Sequence, residues 1–358
     1  MDWGISGYMF WGLVALCGGL VVLFRHGWTR PSRARRAVLH GSVMLVALVA
    51  GLLAAELALG RWYIASDGGN QYTRAGQRWH RRYWRLNRYG YRDVRRRPAD
   101  FAGKRVVVVL GDSFVAGYGV RDVRDRFSNL LGERLGEGWV VVNLARCGWD
   151  TAAELQALRT FEPQPDFVVW FYYLNDIEGA AVRCGSGPAG ERMPTGWSGW
   201  LIERSNVVNL AYWSLRDHFR GGVLGGYWDW LHAAYADPCT WGKHRADIAA
   251  VIEHCTSNGI GLEAVVWPHL TNLAGSAAPV EQVERVLAAH DVPYLDVLER
   301  VQGRAPGSLV VGRRDSHPNA ALNHELFQWM WPRLAARLCG GEDAPCAAPA
   351  DGAASAGE

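Results

Sequence analysis

From residue 106 onward the chain alternates between two kinds of hydrophobic pattern. "VVVVL" (106–110) is an unbroken apolar run, as in a strand buried on both faces. "WVVVNL" (139–144), "FVVWFYY" (167–173) and "LEAVVW" (262–267) repeat it, and "YLDVL" (294–298), joined by "SLVV" (308–311), predicts the last strand. Between these runs the spacing predicts helices over 123–135, 151–160, 244–258 and 279–290, and an amphipathic helix over 320–338 closes the pattern. Strands alternating with helices predict an α/β fold with a parallel sheet covered on both faces. Residues 178–243 interrupt the alternation with many glycines and six tryptophans. A segment this long is functional or carries its own short helices. "SNVVNLAYWSLRDHF" (205–219) reads as one such helix, with Ser205 as its N-cap. Whether the insertion is a lid stays open.

The first sixty residues follow a different rule. Residues 8–24 carry no charge, and residues 38–59 carry only His40 and Glu56. Each run approaches the roughly 20 residues that a bilayer-spanning helix needs, so two transmembrane helices are expected, at about 8–24 and 38–59. The alternative is a buried helical hairpin. The loop between them, "RHGWTRPSRARRA", holds five arginines, which places it in the cytoplasm by the positive-inside rule. The N-terminus and everything after residue 60 then lie outside, in a periplasm or beyond. Residues 61–105 form an Arg-rich connector, read as solvated or as a strip on anionic lipid with Trp79, Tyr83 and Trp84 at the interface. The tail, 339–358, is rich in Ala, Gly and Pro and is expected to be disordered.

Composition adds little that contradicts this. The net charge of +3 gives no field toward nucleic acid, so no nucleic-acid partner is expected. Lys104 and Lys243 are the sole lysines among 38 basic residues, a usage that suits a GC-rich bacterial genome and hence a bacterial inner-membrane location. Of seven cysteines, Cys17 falls in the first apolar run, and the other six suit an oxidising compartment. Cys184 with Cys239 and Cys339 with Cys346 are the expected pairs. No CxxC or His-rich spacing supports a metal, and no cofactor is expected.

The chemistry starts in "VVVVLGDSFVAGYG" (106–119). Neither GxxxxGK[ST] nor GxGxxG is present, so a phosphate cradle is not supported. Ser113 instead stands just past the carboxyl end of the first strand, the edge where open α/β sheets bind ligands. A serine there needs a base and donors for the oxyanion its attack creates. The second strand ends in "NLARCGWD", which supplies the Gly148 amide, and the third in "YLND", which supplies the Asn175 side chain. "RRDSHPNA" brings Asp315 and His317. Read alone, Ser113 serves equally as an N-cap, Asn175 as a turn former and His317 as a surface histidine; His244, His269 and His324 have no such context.

These blocks, "GDSF" at 111–114, Gly148, "ND" at 175–176 and "DSHPN" at 315–319, resemble those of the SGNH (GDSL-type) serine esterases and lipases, in the family's order. "NRYGYRD" (87–93) is similar to the lead-in of membrane-tethered members, and the resemblance covers roughly 87–338. It implies a three-layer α/β/α doubly wound sheet of flavodoxin-like order 2-1-3-4-5 over a hydrolase domain at 106–338. It also implies hydrolysis of carboxylic esters by a Ser113 acyl-enzyme, with His317 as base, Asp315 orienting it, and Ser113, Gly148 and Asn175 as oxyanion donors. Three departures stand out. Asp315 precedes His317 by two positions where the family has three, Tyr173 stands where glycine is usual and favours a small acyl group, and Leu322 also replaces a glycine. The partner is an ester, with an acylated glycan or lipid as candidates. Two alternatives are an O-acetyltransferase or deacetylase acting on a cell-surface polysaccharide, and a non-catalytic binding protein on the same fold.

Overall fold

The computed structural model describes residues 4–27, 32–68, 71–188, 193–219, 225–340 and 346. The tail expected to be disordered therefore lies almost wholly outside the described residues. The elements run α1 (Gly4–Gly27), α2 (Arg33–Trp62), α3 (Arg74–Tyr83), β1 (Arg105–Gly111), α4 (Ser113–Ala116), α5 (Phe127–Leu135), β2 (Trp139–Ala145), α6 (Thr151–Arg159) and β3 (Phe167–Tyr173). The insertion is largely helical, with α7 (Glu178–Arg183), α8 (Gly196–Arg204), α9 (Asn206–Phe219) and α10 (Gly225–Ala236). Then come α11 (Pro238–Ser257), β4 (Gly261–Trp267), α12 (Leu273–Ala289), β5 (Tyr294–Asp296), α13 (Val297–Val301), α14 (Pro306–Leu309), β6 (Val310–Gly312), β7 (Asp315–Pro318) and α15 (Ala320–Leu338).

The chain divides into two units, residues 1–80 with 191–223, and residues 81–190 with 224–358. The second holds a five-stranded parallel sheet of order β2-β1-β3-β4-β5. Val106–Leu110 are at most 2% exposed because alternate residues enter two different cores. Val106, Val108 and Leu110 pack with α6, α10, α11 and α12, while Val107 and Val109 pack with α5, α13 and α15. The unbroken apolar run is thus a two-faced strand in a three-layer α/β/α sandwich.

Several boundaries differ from expectation for physical reasons. The helix predicted at 244–258 begins at Pro238, where Asp237 accepts a hydrogen bond from the Thr240 amide and proline occupies the first turn. The helix predicted at 123–135 is interrupted by extended backbone at Arg126. "SLVV" does not extend the last strand; Val310–Gly312 pairs antiparallel with Asp315–Pro318 in a separate ribbon. Both expected disulfides, Cys184–Cys239 and Cys339–Cys346, are present.

The expectation of two membrane spans is corrected to one candidate helix. Among the described residues a single helix, Arg36–Trp62, is long and apolar enough to cross a bilayer; the apolar stretch Phe10–Gly19 of α1 is shorter. The Arg-rich connector is not uniformly solvated either: Trp79 and Arg92 are each 1% exposed, so Trp79 does not face an interface.

Candidate active site

β1 ends at Gly111 and the chain turns at once into α4. Asp112 caps that helix, its Oδ1 accepting from the Phe114 amide at 2.8 Å. Ser113 is the first residue of α4, so its own amide has no carbonyl partner within the helix. Its Oγ lies 2.8 Å from His317 Nε2 and 3.1 Å from Asp112 Oδ2. His317 Nδ1 lies 2.5 Å from Asp315 Oδ1, which also accepts from the His317 amide at 3.1 Å. With Nδ1–H donating to Asp315, Nε2 is left to accept the serine proton.

The structure therefore brings Ser113, His317 and Asp315 into one hydrogen-bonded chain. All three are buried, Asp315 at 1% exposure. The spacing of two is accommodated because β7 is extended: residues i and i+2 of a strand project to the same face. Gly119 clears the space. Its φ is +82°, and a Cβ there would lie 2.7 Å from Asp315 Oδ2. The His317 ring is packed between Phe114 and Tyr118, at 5.4 and 5.3 Å between centroids.

Burial alone would lower the His317 pKa; the charge and hydrogen bond of Asp315, and then the charge of Asp112, outweigh it and raise it above its ordinary value. Asp112 is itself raised by burial, against the opposing bond from the Phe114 amide and the nearby His317.

Gly148 and Asn175 line one cleft of about 390 Å³, together with Trp149, Asp150, Glu178 and Gly179. Gly148 has φ +75°, and nothing lies within 4 Å of where its Cβ would stand. Asn175 Nδ2 contacts Asp112 Oδ2 at 3.3 Å, which fixes the amide at the sheet edge beside Ser113. Asp176 accepts from the Tyr173 amide at 3.2 Å. A larger groove of about 1060 Å³, lined by Tyr91, Phe101 and Phe161, contains none of the predicted site residues.

Tyr173 stacks on Phe114 at 4.0 Å between centroids, and Trp267 meets Phe114 edge-on at 5.3 Å. The residue after Ser113 is thus walled by aromatic rings. Sequence reasoning set His269 aside, yet it follows the carboxyl end of β4 at the same sheet edge. Its ring is 6.1 Å from Tyr173 and 4.1 Å from Trp228, and Nδ1 faces the Thr271 hydroxyl at 3.0 Å. Burial first, and then His317, lower its pKa to about 3, so this imidazole is neutral. The available signal was its position, two residues past a predicted strand.

The lead-in segment also has a structural place. Arg92 donates to the carbonyls of Gly117 (2.5 Å), Val120 (2.8 Å) and Tyr83 (3.2 Å). Arg126 donates to the carbonyl of Arg92 at 2.5 Å and to that of Ala116 at 3.2 Å. Two buried guanidinium groups thereby hold the loop that follows α4, and burial brings the Arg92 pKa down to about 9.

A profile of the GDSL-like Lipase/Acylhydrolase family matches residues 109–324. A search of curated protein sequences finds no match. Among solved structures, TesA is 20% identical with a TM-score of 0.39, over 64% of this chain and 98% of that one. The lipase/acylhydrolase from Enterococcus faecalis is 16% identical with a TM-score of 0.41, over 65% and 96%. Phospholipase A1 from Streptomyces albidoflavus is 14% identical with a TM-score of 0.39, over 62% and 95%.

Proposed function

The chain belongs to the GDSL-like lipase/acylhydrolase family and is a hydrolase acting on esters; from that premise we propose that Ser113 is the nucleophile of an acyl-enzyme mechanism. The observation that carries this reading is the continuous Ser113–His317–Asp315 chain, at 2.8 and 2.5 Å. His317 Nε2 takes the serine proton as Oγ attacks the ester carbonyl. The oxyanion is held by the Ser113 amide, the Gly148 amide and Asn175 Nδ2. Collapse breaks the ester C–O bond, and the imidazolium returns its proton to the leaving alcohol. Water then repeats the sequence, releasing the acid and restoring Ser113. Asp315 stabilises the imidazolium, and none of these steps calls for a metal.

The Phe114–Tyr173 stack supports a small acyl group, since these rings fill the space beside Ser113 that a longer chain would need. The exposed apolar residues of α2, among them Met44 at 72% and Leu48 at 59%, support its role as a membrane anchor. Arginines at its start and two disulfides beyond it support a catalytic unit outside the cytoplasm.

The test is fluorophosphonate labelling together with p-nitrophenyl acetate turnover. Wild-type protein is expected to label, and Ser113→Ala to lose labelling and at least about 1,000-fold in kcat. Unlabelled wild-type protein that turns over no ester would overturn the mechanism. A reporter fused after residue 60 tests the orientation: activity in the cytoplasm would contradict it.

A further inference from the structure

The unit formed by residues 1–80 and 191–223 contains a buried acidic side chain that the ester chemistry does not use. Glu56, near the end of α2, is 2% exposed. Its Oε1 accepts from the Asn206 amide at 2.6 Å and from Asn206 Nδ2 at 2.9 Å. Its Oε2 accepts from the Ser205 hydroxyl at 2.8 Å and from the Val207 amide at 3.0 Å. These amides are donors that the first turn of α9 leaves unsatisfied, and a negative charge is favoured at that end of a helix. Asn206 Oδ1 accepts in turn from Arg74 Nε at 2.9 Å and from Arg78 at 2.7 Å. The junction of α8 and α9 is thus pinned at one level along α2.

That level is set by helix length. Glu56 stands twenty residues after Arg36, the last arginine before the apolar run of α2. At 1.5 Å per residue this is about 30 Å, the thickness of a hydrocarbon core. With Arg36 at the inner boundary, Glu56 stands at the outer one. α8 ends at Arg204, one residue before the pinned Ser205. Along the helix Trp200 is then about 8 Å, and Trp197 about 12 Å, from the clamp, so neither can lie far from the boundary.

Three indoles are exposed near this level, beside the exposed Glu203 and Arg204 of α8. Trp197 is 81% exposed, Trp200 46% and Trp62, at the end of α2, 74%. Trp197 and Trp200 are three residues apart and share a face of α8, while Gly199 and Ile202 are buried on the other. Arg204 lies over the Trp200 ring at 5.2 Å, and Arg61 precedes Trp62. Tryptophan beside arginine is the pairing found at membrane–water interfaces, with an apolar ring body, a polar ring edge and a cation for phosphate.

We propose that α8 lies in the headgroup layer of the bilayer that α2 crosses, with Trp197 and Trp200 inserted and Arg204 against lipid phosphate. Glu56 holds this foot at its depth. The inference rests on reading α2 as a membrane span, and the experiment separates the two.

The full chain, with Cys17, Cys147 and Cys255 replaced by serine, is placed in phosphatidylcholine–phosphatidylglycerol nanodiscs. An environment-sensitive fluorophore is attached at Thr195→Cys or Leu48→Cys, one at a time, and each is compared with the same protein in nanodiscs without nitroxide. Thr195 is exposed and its side chain caps no amide, so both indoles stay in place. Lipids carrying a nitroxide near the glycerol should quench the label at 195 by about twofold, more strongly than chain-end nitroxides. Chain-end nitroxides should quench the label at 48. Trp197→Ala with Trp200→Ala should abolish quenching at 195 and leave 48 unchanged. A label at 195 that no nitroxide quenches, with 48 quenched, overturns the foot and leaves the span standing. An unquenched label at 48 overturns both.

Discussion

Replacing Asp315 with asparagine tests the proposed relay most directly, because it removes a charge and keeps the shape. The carboxamide oxygen of the variant could still accept from the His317 amide, as Asp315 Oδ1 does at 3.1 Å. What is lost is the attraction between a 1%-exposed carboxylate and the imidazolium that forms during attack. With charge centres about 4 Å apart and an effective dielectric of about 20, that attraction is about 4 kcal/mol. At 1.36 kcal/mol per tenfold, kcat for p-nitrophenyl acetate should fall by about 1,000-fold, with KM little changed. The pH profile should move as well. Catalysis needs neutral Nε2, so kcat/KM rises with pH through the His317 pKa, which stands above its ordinary value. In Asp315→Asn the largest raising influence is gone, burial prevails, and the inflection should move below that of the wild type. A loss of less than about tenfold in kcat, or an inflection that does not fall, would refute the role given to Asp315.

Gly119→Ala places a methyl group 2.7 Å from Asp315 Oδ2 and 2.4 Å from Val311 Cγ2 at φ +82°; thermal unfolding should register a cost of about 1–3 kcal/mol, and kcat should drop at least about tenfold as Asp315 shifts. Arg92→Ala removes the guanidinium donor from the buried carbonyls of Gly117 and Val120, and Gly117 keeps only the Val120 amide, so urea unfolding should show a loss of about 3 kcal/mol; Arg92→Lys should restore little of it, since one ammonium cannot reproduce the fork. Glu154 is fully buried, accepts from Trp170 Nε1 at 2.7 Å, and has its pKa raised well above the ordinary carboxyl value by burial. The unfolded chain ionises this group at lower pH than the native one, so it drains stability as pH rises above the unfolded carboxyl pKa. Glu154→Gln should therefore melt at higher temperature than wild type at neutral pH, with the gap closing in acid; a gap that is constant with pH would contradict this.

The parallel sheet is readable in the sequence because burial on both faces requires continuous apolar runs, and few other structures do. "FVVWFYY" maps onto Phe167–Tyr173 without adjustment. The ribbon of Val310–Gly312 and Asp315–Pro318 is not readable in this way. Its strands span three and four residues, with a register irregularity, and local pattern cannot distinguish that from an extension of the neighbouring strand. Buried arginine is hidden for a different reason. Composition assigns Arg92 and Arg126 to solvent, and their burial is favourable because they meet acceptors that the pattern does not mark, among them the Ala116 carbonyl, 24 residues from Arg92 and 10 from Arg126. The insertion shows the same limit: Ser205 is legible as a cap, its hydroxyl accepting from Val208 N at 3.1 Å, but its second bond to Glu56 crosses 149 residues.

The candidate site sits between these cases. Ser113, Gly148 and Asn175 are legible because each follows a strand, and a parallel sheet delivers all such ends to one edge. His269 follows a strand too and was set aside, because a lone histidine has no motif to speak for it. Asp315 departs from the family pattern, two positions before His317 where that pattern has three. Counting residues is the wrong measure. In a turn or helix, neighbours two apart diverge, and a third residue is needed to bring side chains together. In the extended β7, residues two apart share a face, so the shorter spacing is the one that aligns carboxylate and imidazole. The same extended backbone lets one oxygen, Asp315 Oδ1, receive both the His317 ring and the His317 amide. That double contact sets ring orientation and tautomer together, and Gly119, five residues beyond the first block, leaves room for it.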